Sequence, residues 1–455
     1  MGCQHLQDQR RGQYSSIKMT LGFVFKVINE IGKDLTPRRR RYDVKVLILS
    51  ASAGTGHVRA ADALLRVCQR HPGVGEVQHW DMLKYTTRLF RHIYSQVYLD
   101  LINKAPRMLG WIYDTFDTPW RNEKMRMAFE KFNAGPFLKA AMAFQPDHII
   151  CTHFTPASLL GWLYEKGRIP VKPAIVVTDY DCHAMWLNRT YQQYFVLLDE
   201  TREFLVQLGI DPGRITMSGI PIDPVFMEIK SRAAVCRKLG LADDIFTILI
   251  SAGGYGVGPV EALLTELLKI TRPVQLVVIA GRSEELKQRI DQMAARQSRN
   301  SSARVIPVGF TSLMDEYMTA ADLLLGKPGG LTTSEAMAKN LPLCIVNPIP
   351  GQEERNSAHL LELGVAIRSN NLPALAWKIQ KIIDDPQRLA RMRDNTRQLA
   401  HPEAAETIVN TVMNLPLNSE PDDPPKGRSF FSGRWARSRM SRRRRLSRIN
   451  IADPS

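Results

Sequence analysis

The chain has 455 residues, of which 44% are hydrophobic, and carries 61 Lys and Arg against 45 Asp and Glu, a formal net charge of +16. This length is too great for one ordinary core and predicts two domains. The hydrophobic content excludes a wholly disordered chain. The apolar runs are much shorter than the ~20 residues of a membrane-spanning helix. We therefore expect a globular protein whose positive excess serves a nucleic acid, an anionic membrane or an anionic substrate.

The positive charge is concentrated at the two ends of the chain. Residues 1–41 carry a net of +6 and residues 421–455 a net of +7, which leaves +3 for the 379 residues between them. This near-neutral body argues against a nucleic-acid groove built into the fold. Phe430, Phe431 and Trp435 lie among the C-terminal arginines, and this mixture favours an anionic bilayer, at ~1 kcal/mol per charge near the surface. A solvated tail and an RNA-binding tail are the alternatives.

The cysteine pattern and the start of the chain exclude further classes. The six cysteines have no Cys-x-x-Cys spacing, which argues against a zinc or thioredoxin site and fits reduced thiols in the cytosol. The start Met1-Gly2-Cys3 has Leu6 where a myristoylation signal needs Ser or Thr, so lipidation is disfavoured. We find no secretory signal.

Apolar, strand-like runs alternate with helical patterns along most of the chain. Alternation of this kind predicts parallel sheets covered by helices on both faces. The pattern stops near residues 219–224 and resumes at Phe246, which predicts a linker and a second doubly wound domain. The predicted strands are Val44–Leu49, Val77–Trp80, Asp147–Cys151, Ala174–Thr178, Tyr194–Leu198, Ile215–Ser218, Phe246–Ile250, Val274–Ile279, Arg304–Pro307, Leu323–Leu325, Leu343–Val346 and Val365–Ile367.

The segment Asp81–Met127 interrupts this rhythm. It has a helical period and is crowded with aromatic and basic residues, including Arg88, Arg107 and Trp111. One interpretation is a helical subdomain packed on the first sheet. The other is a surface in a lipid interface, where Trp, Tyr, Lys and Arg favour the headgroup layer. The spacing of apolar residues from Leu21 to Ile31 allows the same two interpretations, a docked helix or an interfacial one.

The first predicted strand ends in a glycine loop, Ser50-Ala-Ser-Ala-Gly54-Thr-Gly56-His57, and a helix follows at once. This geometry presents backbone N–H groups and a positive helix end to an anion or a reacting oxygen. A dinucleotide fingerprint needs a third glycine near Arg59, which is absent. His57 is thus a candidate for catalysis, the alternative being a helix cap.

The second half has three polar corners that follow predicted strands. The first contains Gly253 and Gly254, the second runs from Gly326 to Ala336, and the third from Pro348 to Asn356. Glu335 is placed where it could accept hydrogen bonds from a ribose diol, and Gln, Glu and Asn side chains suit sugar hydroxyls. Because these corners lie at the carboxyl ends of successive strands, they predict a nucleotide-sugar crevice.

The D-x-D sequence Asp179-Tyr180-Asp181 is a weaker signal. Paired acids can hold a metal bound to a diphosphate. The pattern arises often by chance, and no other acid cluster supports it. We therefore expect no metal and no other cofactor.

Three runs together resemble a known family: Ser52–His57, Lys327–Glu335 and Pro350–Glu354. They are similar to the monogalactosyldiacylglycerol synthases and the bacterial processive diacylglycerol glucosyltransferases. These share the GT-B fold with the lipid II-forming N-acetylglucosaminyltransferase. The resemblance covers about residues 42–400, and Asp81–Thr86 and Thr178–Trp186 also look like family blocks.

The resemblance implies an α/β protein in which two Rossmann-like domains face a central cleft. It also implies an inverting transfer of galactose or glucose from UDP-galactose or UDP-glucose to diacylglycerol, by a peripheral enzyme on the cytoplasmic face of the membrane. Anionic membrane lipids are the expected further partner, and no nucleic acid is expected. The implied divisions are a basic arm (1–41), an acceptor and membrane-binding domain (42–220), a UDP-sugar domain (221–400), a helix returning to the first domain (401–420) and an Arg-rich tail (421–455).

The family's functional residues can be carried over where the motifs match. His57 would be the general base or part of its relay, and the acceptor side would include Gly54, Gly56, Asp179, His183 and Trp186. The donor phosphate and ribose region would comprise Gly253, Gly254, Lys327, Gly329, Gly330, Thr332 and Glu335. Arg282 and Phe310 fall where diphosphate and uracil contacts are expected. Gln352, Glu353 and Asn356 match the sugar-facing block.

One departure limits this comparison. The plant enzymes have an acidic residue in the first loop and three successive glycines before the histidine. Here Ala51–Ala53 carry no acid and Thr55 interrupts the glycines. No role for a loop carboxylate can be carried over.

Three other functions remain open on the sequence. A glycosyltransferase for a lipid II-type acceptor would want basic residues inside the acceptor cleft, and the body is nearly neutral. A noncatalytic lipid- or nucleotide-sugar-binding protein would not need His57 and Glu335. A nucleic-acid-binding protein would use the basic ends, but the chain has no helix-turn-helix or aromatic-basic sheet motif.

Overall fold

The computed structural model describes residues 44–97, 100–101, 104–120, 123–251, 259–297 and 301–417. Both basic ends, the Leu21–Ile31 pattern and the Gly253-Gly254 corner lie outside the described residues. Within those ranges, no helix has the length and apolar character needed to cross a bilayer.

The first domain is built on a six-stranded parallel sheet in the order β2-β1-β3-β4-β5-β6. The strands β3, β4 and β5 are buried along their whole length because helices cover both faces of the sheet. The strands are β1 (Val44–Ser50), β2 (Val74–Asp81), β3 (His148–Cys151), β4 (Pro173–Val176), β5 (Tyr194–Val196) and β6 (Ile215–Met217). The helices are α1 (Thr55–Arg70), α2 (Arg88–His92), α3 (Pro106–Phe116), α4 (Glu123–Asn133), α5 (Gly135–Phe144), α6 (Phe154–Glu165) and α7 (Asp199–Gln207).

The second domain repeats this architecture with the strand order β12-β11-β10-β7-β8-β9. Its strands are β7 (Phe246–Ser251), β8 (Val274–Ile279), β9 (Ala303–Val308), β10 (Leu323–Gly326), β11 (Leu343–Ile345) and β12 (Ala366–Arg368). Its helices are α8 (Arg232–Leu239), α9 (Val260–Leu267), α10 (Glu284–Ala295), α11 (Met314–Ala320), α12 (Gly330–Ala338), α13 (Gln352–Glu362), α14 (Leu375–Ile383) and α15 (Pro386–Leu399).

The last described helix, α16 (Ala404–Asn414), belongs to the core of the first domain although it follows the second in sequence. Its Ile408, Val409 and Val412 are buried in one cluster with Val46 and Leu64. Burial of an apolar helix face against α1 and the first sheet therefore ties the end of the described chain to the first domain.

The two domains are in direct contact. One hydrophobic cluster contains Tyr180 and Leu197 from the first domain together with Leu249 and Leu331 from the second. A Cβ atom built on Gly330 would fall well inside van der Waals contact with the carbonyl oxygen of Thr178. Glycine at this position lets the start of α12 approach the end of β4.

The predicted α/β class is confirmed, and each of the twelve predicted strands overlaps an observed one. The bounds differ mainly at the ends. β2 begins at Val74 rather than Val77 because it pairs with β1 along its whole length. α1 begins at Thr55, inside the glycine loop rather than after His57, because the loop leads straight into the helix.

Candidate active site

His57 lies in the first turn of α1, where the glycine loop delivers it to the carboxyl edge of the first sheet. Its Nδ1 lies 2.8 Å from the carbonyl oxygen of Thr152, which follows β3, and 2.9 Å from Oγ1 of Thr178, which follows β4. A carbonyl oxygen can only accept a hydrogen bond, so Nδ1 carries the proton. The lone pair of the neutral ring is therefore on Nε2, which suits a general base.

Burial also keeps this imidazole neutral. Desolvation lowers the pKa of His57 below its ordinary value, against the opposing effects of Asp179 and the Thr152 carbonyl. The ring of His153 packs edge-on against that of His57, with centroids 4.7 Å apart. Burial, and then the neighbouring His57, hold the pKa of His153 well below its ordinary value. Near pH 7 the site thus holds two uncharged imidazoles side by side.

Asp179 supplies a carboxylate beside His57. It is buried at the carboxyl end of β4, and burial raises its pKa while the charge of His57 lowers it. Gln352 Nε2 of the second domain donates to its Oδ1. The pair is therefore a buried base and a buried acid whose charges interact.

A second carboxylate positions the glycine loop itself. The backbone N–H of Ser52 donates to Oδ1 of Asp81, 3.1 Å away at the end of β2. No atom lies within 4 Å of a Cβ atom built on Gly54 or Gly56, so the space above these glycines is open. Asp81 at the end of the neighbouring strand β2 therefore holds the start of the loop in place.

His183 and Trp186 shape the wall of the site. Nδ1 of His183 accepts from the N–H of Met185 at 3.1 Å, and Nε2 donates to the carbonyl oxygen of Tyr113 at 2.9 Å. Both ring nitrogens are therefore engaged in holding the loop. The indole of Trp186 lies 6.2 Å from the His57 ring between centroids, and it packs against Phe154.

The second-domain corner after β10 faces His57 across the cleft. Lys327 and Gly329 precede α12, whose first residue is Gly330 and whose first two turns contain Thr332 and Glu335. The Glu335 carboxylate is buried and accepts a hydrogen bond from Nη2 of Arg59 on α1. Burial raises the pKa of Glu335 to about 7. In this arrangement a ribose diol would have to take the place of Arg59.

The block at the start of α13 meets the first domain. Oδ1 of Asn356 accepts from the N–H of Tyr180, and its Nδ2 donates to the carbonyl oxygen of Pro328, both at 3.1 Å. Oε2 of Glu353 accepts from the N–H of Ile349 at 2.7 Å, and burial raises its pKa. In this arrangement the oxygen and the nitrogen of the Asn356 amide are therefore both hydrogen-bonded within the protein.

Arg282 and Phe310 lie next to each other. The Arg282 guanidinium lies over the Phe310 ring, 5.2 Å from its centroid, and Phe310 is 65% exposed. They follow β8 and β9, at the same edge of the second sheet as the β10 corner. Gly253 and Gly254 also belong to this edge in sequence but are outside the described residues.

The two acids of the D-x-D sequence are engaged separately. Asp179 accepts from Gln352, and Oδ2 of Asp181 lies 3.1 Å from Nη1 of Arg355. In the described part of the chain, no group of three or more His, Cys, Asp or Glu residues is arranged to hold a metal ion.

Sequence reasoning missed several residues of this site. His153, Thr152 and Thr178 follow strand ends, and a systematic inspection of the carboxyl ends of parallel strands would have selected them. Arg59 and Arg355 gave no signal, because their partners Glu335 and Asp117 are far away in sequence.

Comparison with known proteins gives this geometry a context. Residues 57–222 match the monogalactosyldiacylglycerol (MGDG) synthase family, and residues 259–399 match the glycosyl transferases group 1 family.

Solved structures that are similar to this chain include two that align with most of its length. Acinetobacter baumannii MurG has a TM-score of 0.54 at 16% identity, covering 82% of this chain and all of that one. The UDP complex of Staphylococcus aureus MnaA has a TM-score of 0.55 at 13% identity, with 84% and 100% coverage.

The chain has the GT-B fold. Its curated relatives include two proteins named processive diacylglycerol beta-glucosyltransferase. The one from Bacillus subtilis strain 168 is 27% identical over 369 residues, and the one from Staphylococcus aureus strain MRSA252 is 28% identical over 376. The alignments cover 81% and 82% of this chain and 94% and 93% of those proteins. The resemblance inferred from the sequence motifs is confirmed, and in this GT-B protein the site described above lies between the two domains.

Proposed function

We propose that this protein transfers a hexose from a UDP-sugar to the free hydroxyl of diacylglycerol, with inversion at C1. The observation that carries the proposal is His57, whose Nδ1–H is bound by Thr152 and whose Nε2 is left as a base in the interdomain cleft. The similarity of both halves of the chain to glycolipid-forming transferases supports diacylglycerol as the acceptor.

The chemistry follows from the acceptor. A glycerol hydroxyl has a pKa far above 7, so its proton must be removed as its oxygen attacks C1 of the sugar. Nε2 of neutral His57 accepts that proton, and the nearby Asp179 stabilises the resulting imidazolium. Help of this kind contributes ~10²–10⁴-fold to the rate.

The second domain would stabilise the leaving diphosphate. The first turns of α12 and α13 direct backbone N–H groups toward the cleft, and Lys327 and Arg282 add positive charge near the same edge. Preorganised N–H groups and cations of this kind stabilise an anionic leaving group without a metal. We therefore propose a metal-independent reaction, which activity retained in the presence of excess EDTA would support and its loss would contradict.

The helical segment from Arg88 to Phe132 is the proposed membrane surface. Phe90 is fully buried in the first domain. Part of the segment therefore belongs to the core, as the interpretation of a packed helical subdomain predicted. Other apolar side chains are exposed, including Trp111 at 65% and Phe132 at 86%. Exposed Trp, Phe and Leu beside arginines suit the headgroup layer of a bilayer. We propose that this surface and the basic ends bring the enzyme to its water-insoluble acceptor as a peripheral protein on the cytoplasmic face.

The decisive assay uses purified protein with diacylglycerol in anionic vesicles. UDP-galactose, UDP-glucose and UDP-N-acetylglucosamine are supplied in parallel, and lipid products are identified by mass analysis. One hexosyl diacylglycerol is expected with a single preferred donor. Absence of a glycolipid with every donor would refute the proposal, and a product formed only on a polyprenyl diphosphate sugar would assign the protein to the lipid II-type alternative.

A further inference from the structure

Helix α3 has an exposed apolar face. Met108 and Trp111 are 49% and 65% exposed, and Leu109 is the only side chain of α3 that is buried. Leu109 and Tyr113, whose carbonyl oxygen accepts from Nε2 of His183, hold the other face of α3 to its own domain. An external surface that binds the exposed face would fix the helix from that side as well.

The opposite face of α3 contacts the second domain. A Cβ atom built on Gly110 would lie 2.9 Å from Cβ of Pro350, and one on Gly351 would lie 2.7 Å from the ring of Tyr113. Successive helical residues are rotated by about 100°, which places positions 110 and 113 opposite positions 108 and 111. One short helix thus exposes apolar side chains on one face and contacts the second domain through Gly110 and the Tyr113 ring on the other.

Charged groups strengthen this contact. Arg355 of α13 donates to Asp117, the residue that follows α3, and to Asp181. Its guanidinium also lies over the ring of Tyr113, 5.2 Å from the centroid. One turn earlier in α13, Gln352 donates to Asp179 beside His57. The start of α13 is therefore bound simultaneously to α3 and to the catalytic carboxylate.

We propose that binding of α3 to a lipid surface is coupled to closure of the cleft, so that the membrane-bound protein binds the uridine nucleotide more tightly than the free protein. This inference rests on the membrane surface proposed above. A bilayer that holds the exposed face of α3 favours the arrangement in which Arg355 and Gln352 reach the first domain. That arrangement completes the nucleotide site between the domains.

Coupling between two sites is reciprocal, which gives a strict test. If vesicles increase UDP affinity by some factor, UDP must increase vesicle affinity by the same factor. We would measure UDP binding to the full chain by calorimetry, with and without vesicles of phosphatidylcholine and phosphatidylglycerol that contain no diacylglycerol. UDP binding about five-fold tighter with vesicles is expected, with an equal effect of UDP on vesicle binding.

Variants identify the route of the coupling. Arg355→Gln removes the ion pairs with Asp117 and Asp181, and the coupling factor should fall toward one while vesicle binding without UDP is retained. Trp111→Ala should weaken vesicle binding. As a matched control, Arg66→Ala removes an ion pair between α1 and Asp223 in the linker, which does not involve α3. This control should keep the full coupling factor.

The outcomes separate the two proposals. Vesicle binding without any change in UDP affinity of the unmodified protein would overturn the coupling and leave the membrane surface intact. Absence of vesicle binding would overturn the membrane surface and the coupling with it. A folded Arg355→Gln protein that kept the full factor would show that α3 and α13 are not the route, and would also overturn the inference.

Discussion

The two domains share an architecture but differ in where their chain reverses direction. In the first sheet, the strand order reverses between β1 and β3, close to one edge of the sheet. In the second sheet, it reverses between β7 and β10, at the centre. Ligands bind at such points in open parallel sheets. The active cleft arises because both points, with the glycine corners that follow β1 and β10, face each other.

The chemistry of the two domains differs more than their folds. The first domain holds buried imidazoles and a buried carboxylate, His57, His153 and Asp179, whose pKa values are shifted by desolvation. The second contributes helix N-termini, glycines and cations at the ends of its strands. This difference supports the proposal that the first domain carries proton transfer and the second binds the nucleotide sugar.

Removal of the base is the largest expected effect. His57→Ala should reduce kcat by about 10²–10⁴-fold, because the variant lacks the imidazole proposed to take the hydroxyl proton. UDP affinity should change little, since His57 is proposed to act on the acceptor hydroxyl and not on the nucleotide. Initial-rate kinetics measures the change in kcat, and calorimetry measures the UDP affinity. The control is His71→Ala. His71 lies at the far end of α1, and its Nδ1 accepts a hydrogen bond from the N–H of Gly73. Near-normal turnover in His57→Ala would refute the assignment of His57 as the general base.

Prevention of domain contact should have the next largest effect. Gly330→Ala places a methyl group against the Thr178 carbonyl, so the two domains cannot approach as closely as they do here. Misplacing the reacting groups in this way costs about 10²-fold in rate. Gly329→Ala is the matched control, because its added Cβ meets only Glu353 Oε1 at 3.9 Å, and it should lose much less. Equal losses in the two variants would mean that close approach is not required.

Deletion of residues 421–455 tests whether membrane binding depends on the ends of the chain. Removing a net charge of +7 should weaken binding to anionic vesicles by about ten-fold or more. Binding of UDP in the absence of vesicles should be unchanged. Sedimentation with vesicles over a salt series measures the first quantity. Tighter binding to RNA than to vesicles would instead favour a nucleic-acid role for the tail.

Loss of the charge beside His57 should have a smaller effect. Asp179→Asn keeps an oxygen for Gln352 but no longer stabilises the imidazolium, and kcat should fall about ten-fold. The negative charge raises the pKa of His57, so its removal lowers that pKa. The acid limb of kcat/KM, where His57 becomes protonated, should therefore move to lower pH. An acid limb that stays at the same pH or moves to higher pH would contradict the electrostatic interaction of Asp179 with His57.

The smallest effect concerns stability. Burial raises the pKa of Glu130 to about 7, and Arg126, 3.8 Å away, does not offset it. A folded-state pKa above the unfolded value means that stability is lost as the pH rises through 7. Glu130→Gln should therefore raise Tm by a few degrees more at pH 8 than at pH 5. Glu203→Gln, at an exposed position, should change Tm by the same amount at the two pH values. Equal Tm shifts of Glu130→Gln at pH 5 and pH 8 would refute the raised pKa of Glu130.

Much of this protein is determined by local sequence. The two-domain α/β order follows from apolar runs of strand length, and the corners follow from glycines at strand ends, because these signals act between neighbouring residues. His57 was recognisable for the same reason, as it ends the first glycine loop. The exposed and buried sides of the Arg88–Phe132 segment could not be separated, since aromatic residues suit both a core and a lipid interface.

Only the tertiary structure decides what His57 can do. The groups that fix its tautomer, Thr152 and Thr178, are 95 and 121 residues away, and Arg59 finds Glu335 at a separation of 276. Such contacts depend on the order of strands within each sheet and on how closely the domains approach. No periodicity in the chain encodes either quantity, because both arise from packing between segments that are distant in sequence. The sequence by itself supplied a histidine on a glycine loop, and packing made it a neutral base with a free Nε2.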